Sequence, residues 1–415
     1  MTNQRHTDLP GYTTPQCTTV NQHPGMMERQ YSHPANSSDP TRVYKTLDAE
    51  SSKALATFFR EGCFTDRGCI NSKNVDRFLA ISRSLHHKQL QTECEIFIRN
   101  NKLCRRLSLE PRRQNEAARY QLLFTKNETD RSSLGIHLYD CRSNFQKTCR
   151  LPELSGVGSG FAVCSLQNNN HDAPHVYLSG GGKNSRDVYH CDIVMNKIKK
   201  CSKRLVKGRS HHCMTCVQNK LYVLGGQCNQ EETTRTVEEF DPKRHSWKIV
   251  GNLEIGVHSA TTVAHENNIY VLGGISDNGK ETAVVQMFEP NTKSCKILAS
   301  LPFAVSRAQA VVFQKNIFVA CSDGRLISYD PKSQHEICTN MPVCCSNFAM
   351  FAEKEGIFFA GGKTRNEDNA LKTVYVYSPE NCTWHVTDKD LSVSLSLYGS
   401  CSVEIPSEYG FVPFG

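Results

Sequence analysis

The residues best placed to do chemistry lie in His211 to Cys216, HHCMTC, where two imidazoles precede a Cys-x-x-Cys pair. That spacing can bind zinc or act as a redox couple. The segment also reads as the innermost strand of a sheet, and alternation along a strand sends Cys213 and Cys216 to opposite faces. Ordinary strand packing is therefore the expectation for both thiols. Cys344 and Cys345 read as a pair of buried small hydrophobes rather than a vicinal disulfide, and Cys191 and Cys201 as free thiols facing each other on outer strands. The 20 cysteines follow no fixed offsets, which points to a reducing compartment. The chain has no Gly-x-Ser-x-Gly elbow, no phosphate-binding glycine loop ending in Lys-Ser/Thr and no His-Glu-x-x-His. The expectation is no enzyme, no catalytic residue, no metal and no cofactor.

What positions these residues is a repeat. Lys220 to Trp247 begins KLYVLGG, crosses a polar loop and continues VEEFDPKRHSW. Weaker copies follow: NIYVLGG from Asn268 with QMFEP from Gln286, and GIFFAGG from Gly356 with VYVYSP from Val374 and then Trp384. Another precedes it, HVYLSGG from His175 with VYHCD from Val188. Glycine pairs roughly 40 to 50 residues apart mark a propeller or solenoid unit. NIFVACS from Asn316 is a degenerate copy with Cys321 and Ser322 in the glycine places. Aromatic-acid strands number six, at Tyr139-Asp140, His190-Cys191-Asp192, Phe240-Asp241, Phe288-Glu289, Tyr329-Asp330 and Tyr377-Ser378. The first of them precedes any glycine pair. YGSCSVEI, Tyr398 to Ile405, is a strand left over at the other end, and joining it to the first blade would close a ring without open edges.

The rest of the chain is organised around that ring. Residues 1–46, rich in Thr, Ser, Asn, Gln, Pro and His, read as a disordered polar N-terminus. Residues 47–100 read as two packed helices, with Leu55, Phe58 and Phe59 on one apolar face and Val75, Phe78, Leu79 and Leu85 on the next. Residues 101–133 are a basic linker carrying Arg105, Arg106, Arg112, Arg113 and Arg119. A nuclear-localisation or nucleic-acid patch is one reading of it, and a solvated linker is the favoured one. Residues 134–415 hold the repeats. A 38% hydrophobic content and a net charge of +8 suit packed cores and argue little for acidic partners. No signal peptide or membrane span is evident, so the sequons at Asn36, Asn127 and Asn381 carry no weight.

Two resemblances sharpen this. FREGCFTDRGCINSKNVDRFLAISRSLHHKQLQTECEIFIRN, from Phe59 to Asn100, resembles the C-terminal part of a BTB domain. The family's opening strands and its long BACK domain have no counterpart in the sequence. From Leu134 to about Val403 the double glycines, the aromatic-acid strands and the two Trp positions resemble the kelch family; no Gly-His opening or Trp-Asp close recurs, which disfavours WD repeats. The fold implied is mainly β, a six-bladed kelch β-propeller preceded by a small α-helical BTB remnant.

The kelch resemblance implies partner-binding residues just before each innermost strand and just after each glycine pair. Aligned on the glycines these are Lys183 in the first copy, Arg209, Ser210 and Gln227 in the next, then His258 and Ile275, Arg307 and Asp323, and Asn347 and Lys363. Arg, Lys and His dominate, and a guanidinium fork suits carboxylates. The expected partner is a protein substrate presenting an acidic or phosphorylated peptide loop, with no nucleic acid and no membrane. The combined resemblance implies a substrate-recognition adaptor of a cullin-RING ubiquitin ligase, cytoplasmic with a nuclear alternative. The alternatives are a non-ligase scaffold that binds actin or other proteins, and a truncated competitor of complete adaptors.

Overall fold

A computed structural model describes residues 49–61, short stretches between 78 and 94, and residues 105–107, 118–126, 134–142, 145–151, 157–166, 174–182, 185–193, 197–228, 232–333, 336–364 and 370–405. The polar N-terminus lies outside the described residues, as do Lys183 and most of the 101–117 stretch.

Six four-stranded antiparallel units make up the ring. Blade 1 runs from its innermost strand Phe161–Leu166 through His175–Gly180 and Val188–Asp192 to Lys197–Lys200. Blade 2 is Cys213–Val217, Lys220–Leu224, Thr236–Asp241 and Ser246–Asn252. Blade 3 is Thr261–His265, Asn268–Leu272, Val285–Glu289 and Ser294–Leu298. Blade 4, the degenerate copy, is Gln309–Phe313, Asn316–Ala320, Arg325–Tyr329 and Glu336–Asn340. Blade 5 is Cys345–Glu353, Gly356–Thr364, Val374–Ser378 and Thr383–Thr387.

Blade 6 closes the circle as expected, but with a strand the sequence reading placed elsewhere. Its innermost strand is Leu397–Ile405, from the C-terminal end, paired with Ala118–Lys126 and then Leu134–Asp140 and Phe145–Leu151. Ala118–Lys126 lies inside the stretch read as linker, so the propeller begins before residue 134. Leu122, Leu123 and Phe124 are wholly buried, yet the segment ends in Thr125 and Lys126 instead of a glycine pair, which is why it escaped the repeat count. Arg105–Leu107 also departs from a solvated linker. It adds a fifth, parallel strand to the outer edge of blade 5, Arg105 opposite His385 and Leu107 opposite Thr387, and so covers an otherwise open edge.

Each core is the wedge between two blades. Phe240 and Trp247 of blade 2 pack on Tyr177 and Val188 of blade 1 with Leu221 and Val223. Trp384 does the same for blades 4 and 5, stacked near Phe359 and Tyr377 with Phe318 in the same cluster. Large rings fill a space that widens outward, and each contributes much buried area. The glycine pairs allow the backbones to meet at the narrow end. Gly225 has φ +62°, and a Cβ there would lie 2.3 Å from the carbonyl oxygen of Val257.

Ahead of the ring, Ala49–Glu61 forms a helix. Leu55 and Phe58 are fully buried with Phe78, Ile81, Leu90 and Cys94, whereas Phe59 and Leu85, expected on apolar faces, are 38% and 47% exposed.

Candidate functional site

The inter-blade connections set the mouth of the channel. In five of the six blades one residue at or near the start of the innermost strand lies in the left-handed region: Gly160 (φ 77°), His211 (53°), Ser259 (52°), Arg307 (51°) and Asn347 (57°). Neighbouring members are stitched through their backbones. His211 N donates to the Gly160 carbonyl (2.7 Å), Ser259 N to that of His211 (2.7 Å) and Arg307 N to that of Ser259 (2.8 Å). In blade 5 the Asn347 side chain donates from Nδ2 to Ser396 Oγ at 3.3 Å, a link to the start of blade 6. Between Gly160 and Arg307 the backbone of the ring is thus engaged with itself, and the side chains of these residues are what it offers to the mouth.

The connections are braced from the third strand of the following blade. Glu238, wholly buried, accepts from the backbone amides of Val206 (2.7 Å) and Lys207 (2.9 Å). Gln286 does the same one blade on, accepting from Ile255 N (2.8 Å) and donating to Ile255 O (3.0 Å). Both stand two residues before the aromatic of their strand, Phe240 and Phe288.

The ten expected partner-binding residues divide on this geometry. Arg307, Asn347 and Lys363 are exposed; His258, Gln227, Ile275 and Asp323 are half-buried. Arg209 is a correction. Its side chain is wholly buried, paired with Glu238 and donating to the carbonyl oxygens of Gly225 (2.7 Å) and Thr236 (3.1 Å) and to Thr236 Oγ1 (2.9 Å). Its own carbonyl accepts from Gly181 N, the role played by Val257, Val305 and Leu395 toward Gly226, Gly274 and Gly362. An arginine has taken an apolar wall position and brought a carboxylate to satisfy it. Ser210 is likewise buried, its backbone exchanging both hydrogen bonds with Gln227. Asp323 accepts from Arg325 Nε at 2.7 Å, and that guanidinium lies 3.2 Å over the Phe303 ring.

The expected residues also mix two registers. Ser210 and His258 face Gln227 and Ile275 across their hairpins, whereas Arg307 and Asn347 stand one residue further on, in the left-handed ring. The members sequence reasoning missed are Gly160, His211 and Ser259; for the last two the signal is an offset of two residues before the strands at Cys213 and Thr261, the offset that Arg307 has from Gln309.

At the mouth these side chains converge. The His211 and His258 rings lie 6.5 Å apart, edge to face. His258 has Gln227 Nε2 at 3.4 Å from its Nε2 and Ser259 Oγ at 3.1 Å from its Nδ1. Burial, then the Arg307 charge, holds His211 below the ordinary imidazole range; burial, His211 and Arg307 do so for His258. Beside the mouth a groove of about 840 Å³ runs along the blade 2 loops, lined by Arg186, Lys207 and Arg235 with Glu232 and Asp277.

The thiols sort as the strand reading requires. Cys213 joins the core shared with blade 3 and Cys216 the one shared with blade 1, and among the described residues no group of three or more His, Cys, Asp and Glu could hold a metal ion. Cys191, Cys201, Cys213, Cys344 and Cys345 are not in disulfides. Cys345 is buried, but Cys344 is exposed, its Sγ 3.0 Å from the Asp323 carbonyl, so the two are not the buried pair expected.

Comparison with known proteins agrees with the repeat. The kelch motif family matches residues 208–254 and 257–302, blades 2 and 3. Kelch-like protein 35 of Mus musculus is 35% identical over 116 residues, 28% of this chain and 19% of that protein. Kelch-like protein 38 of Danio rerio is 35% identical over 82 residues (19% and 14%), and an F-box/kelch-repeat protein of Arabidopsis thaliana 39% over 74 (17% and 18%). The match thus spans about a fifth or less of these relatives. No helix among the described residues is long and apolar enough to cross a membrane. Two of the six blades of this propeller thus match kelch motifs.

Proposed function

We propose that the mouth of the propeller binds an acidic or phosphorylated loop of a protein partner, and that the chain serves as a substrate-recognition adaptor of a cullin-based ubiquitin ligase. The observation that carries the first part is the convergence of Arg307, His211, His258 and Gln227 from three blades on one spot. Cations and amide donors held on rigid strands suit carboxylate or phosphate oxygens, and Lys363 adds an exposed cation across the hairpin from Ser346. The adaptor role rests on the resemblance of Phe59 to Asn100 to a BTB domain and on the kelch-like relatives, and fold alone never implies function.

Co-precipitation from cell extract tests both parts, using the full chain and its Arg307→Ala/Lys363→Ala variant. The reading expects the cullin scaffold with both chains and substrate proteins with the unmodified chain only. Substrates without a cullin would leave a scaffold, actin-binding among the options, or a competitor of complete adaptors. Equal recovery of substrates by the variant would remove the mouth from the account.

A further inference from the structure

The mouth holds two imidazoles and a guanidinium, and among the described residues no carboxylate acts on either ring. The charges acting on His211 and His258 are cationic: Arg307 on both, and His211 on His258. The groups on the elements packed around them are committed elsewhere. His212, behind His211, is buried with its Nε2 2.9 Å from Ser179 Oγ, and burial followed by the Arg209 and His211 charges holds it far below the imidazole range. Arg209 is neutralised by Glu238. Glu281 accepts from Ser306 Oγ at 2.6 Å, and Asp323 is taken by Arg325. The partial burial of the rings and the Arg307 charge therefore favour neutral imidazoles, His258 being half-buried and His211 exposed at its edge. An anion at the centre of the three residues reverses the second influence and supplies the missing acceptor.

We propose that the mouth takes up its anion together with protons: a carboxylate, phosphate or sulfate group seated among Arg307, His211 and His258 converts the imidazoles to imidazolium and is held more tightly as pH falls. The proposal rests on the reading of the mouth as a surface for acidic partners, and adds that occupancy is proton-linked. The geometry suits such a clamp. The two rings come from neighbouring blades, each fixed by the backbone stitch at His211 and Ser259, and Arg307 comes from the third. Gln227 Nε2 lies at His258 Nε2; an amide flip would present its oxygen instead when that nitrogen becomes a donor. By linkage, a site that gains protons on binding must bind more tightly where protons are abundant.

Sulfate is the probe, since it stays a dianion from pH 5 to 8 and any pH dependence then belongs to the protein. The full chain, labelled at its histidine rings, is titrated with sodium sulfate at constant ionic strength and followed by NMR, with His211→Gln and His258→Gln identifying the two resonances. Both should titrate below the ordinary value in chloride and move up in sulfate. Sulfate affinity should rise at least about fivefold from pH 7.5 to 5.5, as linkage to one proton or more requires. In the double His→Gln variant that slope should vanish while residual binding through Arg307 remains. Saturable, Arg307-dependent sulfate binding with a flat pH profile and unmoved imidazoles would overturn the proton linkage and leave the acidic-partner reading standing. Shifts that do not saturate, or that survive Arg307→Ala, mean an adventitious ion only and overturn both.

Discussion

Arg209 and Glu238 form an ion pair in which neither side chain has any solvent exposure, at the point where blade 1 hands the chain to blade 2. The neighbouring blade solves the same problem without charge: Val257 holds the wall position and Gln286 braces the connection. Removing one partner of a buried pair leaves an uncompensated charge and costs about 3–5 kcal/mol. Arg209→Val alone should therefore lower unfolding stability by that order in urea titration. Arg209→Val with Glu238→Gln, which copies blade 3, should recover most of the loss. An Arg209→Val protein that keeps its stability but loses its partner would restore Arg209 to the binding surface.

Glycine positions separate close approach from backbone conformation. Gly225 and Gly279 both have positive φ, +62° and +74°, but a Cβ at Gly225 meets the Val257 carbonyl at 2.3 Å and one at Gly279 meets nothing within 4 Å. Gly279→Ala should cost only the left-handed penalty of about 1–2 kcal/mol. Gly225→Ala must also push two blades apart, so its denaturation midpoint should fall well below that of Gly279→Ala. Equal midpoints would mean that the inter-blade contact yields at no cost.

The repeat was legible because its spacing is imposed by physics that recurs: Gly225 and Gly273 directly follow their second strands and Gly361 lies in the last part of its own, where backbones converge, and Trp247 and Trp384 fill equivalent wedges. Ala118–Lys126 was illegible because blade 6, assembled from the two ends, ends this strand without glycines, and its buried Leu122 to Phe124 run resembles any apolar stretch. The mouth was half legible. Arg307 and His258 could be placed by counting from the glycines, but whether Arg209 faces solvent or the wall depends on Glu238, 29 residues away. In the sequence His211 stands out only as a neighbour of two cysteines, and its left-handed place in the ring (φ 53°) emerges only in the fold.

Thiol reactivity should follow strand geometry. Burial pushes the Cys213 and Cys345 thiols up to about 12, which leaves almost no thiolate at neutral pH. Cys344, one residue from Cys345, is exposed. Brief iodoacetamide treatment followed by peptide mass mapping should label Cys344 and leave Cys213 and Cys345 untouched until denaturant is added. Early labelling at Cys213 would show that the blade 2 and blade 3 wedge opens in the native state.

Glu239 ties the middle of blade 2 to pH. Burial pushes its carboxyl up, but hydrogen bonds from Tyr222 Oη (2.8 Å) and from Lys248 and Lys220 (3.2 Å each) outweigh it and hold the group below its usual 4.5. A carboxylate whose folded value is depressed contributes stability that is fully present above the unfolded value and is lost as pH falls through the folded one. The unmodified chain should therefore exceed Glu239→Gln in stability at pH 7, and the gap should shrink as pH is lowered through and below the ordinary carboxylate range. Urea midpoints at a series of pH values measure the gap directly. A constant gap would assign the contribution of Glu239 to hydrogen-bond geometry that the amide fails to reproduce, rather than to its charge.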